Sequence, residues 1–230
     1  MEIVKFLTME KHCDPMCRDF EYQDTPLHGA ARKGHIDVVK FLTLEMRCDP
    51  TSRNIRNHTA LHLAAAQGHL DIVQFFVSDL NCDLNIPGQY GRNPLHTAVG
   101  FGHLNIVKYL TNEQGCNLSC LDNLKFTPLH LAADEGHIEI VKFLTMEKHC
   151  DPMSRNIHND TALHCAVLNG HMQVVKFFIE ELKLPWDILG QHNTTPLQMA
   201  IIRHHPNIVQ YLNQCSNILT AIAMIKQLGL

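Results

Sequence analysis

Nothing in these 230 residues comes near the run of about 18 apolar residues that a membrane-spanning helix requires. The opening stretch, MEIVKFLTME, has an acid at Glu2 and only a short apolar patch, so it is not a secretory leader. Charge of one sign is missing too. With 19 basic and 23 acidic residues the net charge is −4, which leaves no electrostatic case for nucleic acid or an anionic membrane as partner. The nine cysteines are odd in number and follow no leader, which argues for free thiols in a reducing, cytoplasmic setting. Catalytic signatures are absent as well: there is no nucleophile elbow and no His-Glu-x-x-His, and the PGQYG stretch at 87–91 has no Gly-Lys-Ser/Thr after it. An enzyme is therefore not expected, nor a cofactor.

What is there is repetition. EIVKFLTMEKHCDPM stands at residues 2–16 and again, letter for letter, at 139–153. A second series starts at Thr25, Thr59, Asn93, Thr127, Thr161 and Thr195, each 34 residues after the one before, and reads TPLHGAARKGH, TALHLAAAQGH, NPLHTAVGFGH and so on. A strict period of this length marks stacked supersecondary units. Each start is a short polar residue of the kind that caps a helix, and Pro26, Pro94, Pro128 and Pro196 follow at the first helical position. Gly34, Gly68, Gly102, Gly136 and Gly170 then stop that helix. A second helix is expected over stretches such as IDVVKFLTLE, where apolar residues recur at helical spacing. A polar stretch closes each unit, with Asn57, Gly91, Asn159 and Asn193 at equivalent places that suit left-handed backbone, so a hairpin-like finger is expected there.

The string TPLHLAADEGHIEIVKFL resembles the ankyrin repeat, and the resemblance runs over essentially residues 1–215. It implies an all-α solenoid of stacked helix-turn-helix units with hairpin-like finger loops, binding protein partners on its concave side. The expected organisation is a partial unit at 1–24, units at 25–58, 59–92, 93–126, 127–160 and 161–194, an atypical terminal unit at 195–215 and an amphipathic helix or cap at 216–230. Three departures stand out. The unit has 34 residues where 33 is usual, with the extra one near the end of the second helix. Cysteine replaces the small alanine of the usual ending. The last unit carries Gln198 and His204 where the others have histidine and glycine. Because the chain opens on a second helix, it is expected to be a piece of a longer array, monomeric but prone to self-association at the uncapped first half unit.

Candidate chemistry is weighed on the same frame. The histidines of the TPLH slot (His28, His62, His96, His130, His164) and those after the glycine (His35, His69, His103, His137, His171, His205) could form a metal ladder, but repeated slots run parallel where a metal needs converging ligands. The resemblance implies that they bond the backbone of neighbouring units. Cys13, Cys48, Cys82, Cys116 and Cys150 form a ladder whose rungs should stand roughly 10 Å apart, too far for disulfides, so they are expected to be buried spacers. A redox or metal sensor is the less favoured reading. Asp49, Asp83 and Asp151 recur with the period and are expected to fix loops.

Partner contacts should lie where units differ. The inner-helix ends give Arg32, Lys33, Gln67, Phe101, Asp134, Glu135 and Asn169, and the fingertips give Arg56, Tyr90, Arg92, Lys125, Phe126 and His158. Of these, Tyr90, Phe101 and Phe126 are the expected centre, because aromatics and arginine dominate binding hot spots. No metal site is expected. The function expected is a non-catalytic protein-interaction scaffold, or the targeting arm of a larger signalling protein or enzyme.

Overall fold

The computed structural model describes the backbone of residues 2–227 and the side chains of residues 2, 4 and 8–216. Among the described residues the chain is helices and loops, with no strand. Its helices gather into two compact units, one up to Asn123 and one from Leu124 onward.

The first unit opens with α1 (Glu2–Lys5), which runs into a wider turn over Phe6–Glu10. Helix pairs follow: α2 (Pro26–Lys33) with α3 (Ile36–Lys40), α4 (Ala60–Gln67) with α5 (Leu70–Gln74), and α6 (Pro94–Gly100) with α7 (Leu104–Lys108). The inner helices stack α2 on α4 and α4 on α6. Small residues permit that approach: Ala30 and Ala31 of α2 and Ala64 and Ala65 of α4 are buried, as are Leu27, Leu61 and Leu95. The second unit repeats the scheme with α8 (Pro128–Asp134) and α9 (Ile138–Lys142), α10 (Ala162–Leu168) and α11 (Met172–Lys176), then α12 (Pro196–Ile202) against α13 (Pro206–Gln227). Here α8 packs on α10 and α10 on α12.

The helix starts follow the chemistry of the sequence. Thr127 Oγ1 accepts from the His130 backbone N–H at 3.3 Å, while the Thr127 N–H donates to His130 Nδ1 at 3.3 Å. Asn93 Oδ1 accepts from the His96 N–H at 2.9 Å. These reciprocal bonds satisfy N–H groups that a helix start leaves without partners. The stop is equally physical. Gly68 takes φ +79°, and a Cβ there would meet the His103 ring at 2.7 Å, so both backbone and neighbour exclude a side chain.

The thirty-fourth residue is absorbed at the end of each outer helix. After α3 the backbone widens over Phe41–Glu45, where the Met46 N–H bonds the Phe41 carbonyl five residues back at 3.1 Å. The same bond recurs from Leu80 to Phe75, Gln114 to Tyr109, Lys148 to Phe143 and Leu182 to Phe177. One added residue thus becomes a π-type turn with no break in the ladder. The next residue turns left-handed (Arg47, Asn81, Gly115, His149, Lys183), and the N–H after it reaches back six residues, as from Cys48 to the Leu42 carbonyl at 2.9 Å. That is a Schellman-like closure one residue wider than usual, with mostly non-glycine residues in the left-handed place.

Fingers close on a few backbone bonds, such as Asn54 N–H to the His58 carbonyl (3.0 Å) and Gly88 N–H to the Arg92 carbonyl (2.8 Å). Asn57, Gly91, Asn159 and Asn193 all have positive φ, as their chemistry suggests. The periodic aspartates hold the loops: Asp49, Asp83 and Asp151 each accept a backbone N–H two residues on, at 2.8–2.9 Å. At the C-terminal end one helix runs over Pro206–Gln227. The expected apolar stripe of Ile218, Ala221, Ile222 and Ile225 lies outside the described side chains.

Candidate functional site

The imidazoles sort themselves into structural pins. In the TPLH slot, His62 Nδ1 accepts from the Thr59 N–H at 3.2 Å, so the ring proton sits on Nε2 and is donated to the carbonyls of Ile86 (3.1 Å) and Arg92 (3.2 Å). His28 reaches the His58 carbonyl and His164 the Ile188 carbonyl, each at 3.1 Å. One ring therefore caps its own helix and holds the next finger. Burial pulls the His62 imidazole down to about 3, with the neighbouring His58 ring adding to the shift, and burial lowers His28 and His164 as well. The second set donates to the last carbonyls of the preceding inner helix: His69 to Arg32 (3.1 Å), His103 to Ala66 (2.9 Å), His171 to Asp134 (2.7 Å) and His205 to Leu168 (3.0 Å). Among the described residues no group of three or more His, Cys, Asp or Glu side chains converges as a metal site.

His96 differs from its fellows. Its Nδ1 faces Asn93 Oδ1, an acceptor, at 2.8 Å, which puts the proton on Nδ1. Cys120 Sγ lies 3.7 Å from Nδ1 and 3.8 Å from Nε2. Equal distances to both nitrogens set the sulfur over the ring face and out of line with either lone pair, which is a packing arrangement and not that of a nucleophile with its base.

The thiol ladder needs a correction. Only Cys48 of it is buried; Cys82, Cys116 and Cys150 are half-buried and Cys13 is exposed. None of the nine cysteines is joined in a disulfide. Burial pushes Cys82 and Cys116 up to about 11, so they are poor thiolates despite partial access.

The variable positions are not equally available. In the first unit, Arg32 is tied to the buried Asp24 carboxylate and lies 5.6 Å from the Tyr22 ring centroid. Arg92 Nε bonds Asp122 Oδ2 at 3.1 Å, and its guanidinium lies 5.7 Å from the Tyr90 ring. Arg56 is exposed, 5.1 Å from the Tyr22 ring. Lys33 and Gln67 are exposed at their helix ends. Tyr90 and Phe101 are the exposed rings, 58 % and 60 % accessible. A hollow of about 170 Å³ brings Arg56, Tyr90, Arg92 and Phe101 together with His58, Gln89, His96, Thr97 and Gly100.

In the second unit, Phe126 is half-buried with its ring 5.6 Å from that of His130, so it is partly committed to the fold. Lys125, Glu135 and His158 are exposed. Asn169 donates to Asp134 Oδ1 at 2.7 Å, pairing two of the candidates with each other.

Sequence reasoning missed two groups. Arg18, Arg53 and Arg155 act as finger clamps, each bonding a carbonyl of the next finger; Arg155 Nη1 reaches the Leu189 carbonyl at 2.7 Å, and Arg18 the Arg53 carbonyl at 2.6 Å. The recurring SRN at 52–54 and 154–156 was the available signal. Gly100 was the other. Its slot holds Arg32, Ala66, Asp134, Leu168 or Ile202 elsewhere, and the missing side chain leaves the hollow open.

Helix pairs linked by finger loops, pinned to the neighbouring repeat by histidine within each compact unit, define a helical repeat protein of the interaction-module class. The family model for ankyrin repeats matches in three copies, over residues 1–87, 80–156 and 148–220. The chain belongs to the ankyrin-repeat family. No curated protein is similar enough to count as a match. Among the described residues no helix is long and apolar enough to cross a membrane.

Proposed function

We propose that this chain is a non-catalytic scaffold, built of six tandem units after a half unit, that holds a protein partner on its fingertips and inner-helix ends. The observation that carries the reading is the pair of exposed rings, Tyr90 and Phe101, set beside Arg56 and Arg92 at one hollow. Burying an exposed ring is favourable by about 1.5–3 kcal/mol, so two of them at a shaped surface favour covering by a partner. The framework around them has used its own polar groups: among the described residues no buried side-chain nitrogen or oxygen lacks a partner. Binding chemistry is thereby left to the variable positions. Lys33 and Gln67 extend the surface in the first unit, and Lys125, Phe126, Asp134, Glu135, His158 and Asn169 supply contacts from the second.

Exposed charges such as Lys33 and Glu135 then set orientation and on-rate more than affinity. The test is affinity capture on the immobilised chain, read by mass spectrometry, beside a variant carrying Tyr90→Ala and Phe101→Ala. A protein retained by the native chain and lost from the variant is the expected outcome. Identical retention by both would remove these rings from the site.

A further inference from the structure

We infer that the hollow between the third finger and the end of α6 is a seat for one carboxylate side chain, aspartate or glutamate, from an extended segment of the partner protein. The inference rests on the scaffold reading and gives that surface a ligand chemistry.

Size comes first. About 170 Å³ is the room one medium side chain needs, and it is too small for a folded element. The room exists because position 100 is glycine. A Cβ built there meets nothing within 4 Å, so this glycine is not required by its neighbours, unlike Gly68. The equivalent position two units on is Leu168, so the framework accepts a side chain in that slot.

Charge comes next. The lining holds two arginines and no carboxylate. The adjacent acid, Asp122, is buried and already bonded to Arg92 Nε at 3.1 Å, which fixes that guanidinium in place. Arg56 has the Tyr22 ring beneath it. The histidine of the lining at position 58 is held below its usual range by burial and by the Arg56 charge, so it is neutral at pH 7 and the positive charge is that of the arginines. Planar guanidinium forks are suited to carboxylates.

The finger backbone sets the ring that lines the hollow. The third finger turns on Gln89–Arg92, closed by the Arg92 N–H to Gln89 carbonyl bond at 3.2 Å, with Tyr90 at φ 58° and Gly91 at φ 73°. That is the pattern of a type I′ turn, whose first central place favours Asn, Asp or Gly. The same turn recurs at 191–194, with His192 at φ 53° and Asn193 at φ 59°, so it belongs to the finger framework and here serves to display Tyr90. The ring it displays is the one beside Arg92.

The experiment is selection of a phage-displayed random dodecapeptide library on the full chain, in parallel with Gly100→Leu and Arg56→Gln variants checked for unchanged melting temperature. Enrichment of peptides sharing an Asp or Glu at one register is expected with the native chain. Replacing that acid by its amide in a synthetic fluorescent copy should weaken binding about tenfold, and Arg56→Gln should do the same. Gly100→Leu should abolish it. Selection of neutral or basic peptides, selection of the same peptides by Gly100→Leu, or no enrichment at all would overturn the assignment. Protein capture that depends on Tyr90 and Phe101 while peptides show no acid preference would leave the scaffold reading standing and remove this one.

Discussion

Protonating a buried imidazole of the TPLH slot breaks two things at once: Nδ1 can no longer accept the cap N–H, and a charge is stranded in the core. For His62 the folded value of about 3 lies below the ordinary 6.5, so its contribution is complete above pH 6.5 and is lost as pH falls from there toward 3. Over that window the loss is on the order of 4–5 kcal/mol. Chemical denaturation at stepped pH should show stability falling below pH 6.5, and NMR should find His62 not titrating between pH 8 and 5 and the midpoints of His28 and His164 below 6.5. A normal midpoint near 6.5 for His62 would contradict the pinned geometry. The thiols argue in the same direction. Thiols at about 11 hold roughly a hundredfold less thiolate at neutral pH than ordinary ones at 9.0, so Cys82 and Cys116 should label far more slowly than the exposed Cys13 and Cys17 until the chain is denatured. The ladder itself was legible in the repeats, whereas the half-exposure of its rungs was not, because spacing carries no information about which side of a loop stays open.

Within each element, the starts and stops were legible and the end of the outer helix was not. Thr, Pro, His and Gly announce the inner helix because each has one backbone job that few other residues can do. The thirty-fourth residue was visible as a count and a place, but whether it loops out or widens the helix depends on tertiary packing, and here the helix widens. The left-handed residue that follows is costly when it is not glycine. His149→Gly, exposed and at φ 53°, should therefore stabilise the protein by about 0.5–1 kcal/mol in a denaturant melt. Destabilisation instead would show that the His149 side chain makes a contact worth more than its strain. Gly68→Ala should act in the opposite sense, costing about 2 kcal/mol or more, since the added methyl meets the His103 ring on a backbone of φ +79°.

At the scale of the whole molecule, a repeated framework and an unrepeated surface have different origins in the sequence. The fold was legible because each unit restates it, and the family match over residues 1–220 agrees. The surface was only partly legible. Difference between units pointed to Tyr90 and Phe101, which stand exposed, but equally to Phe126, which is half spent on packing against His130, and to Arg32, which is tied to Asp24. Sequence difference marks freedom from the framework; only packing tells which free residues face outward. The measurement that bears most directly on the scaffold account is therefore a paired one on Phe101→Ala, partner affinity by titration calorimetry and melting temperature on the same preparation. Affinity should fall by on the order of 2 kcal/mol, about thirtyfold, with the melting temperature unchanged, since a ring 60 % exposed contributes little to the core. A lowered melting temperature with affinity intact would mean that Phe101 serves the fold and that the partner binds elsewhere.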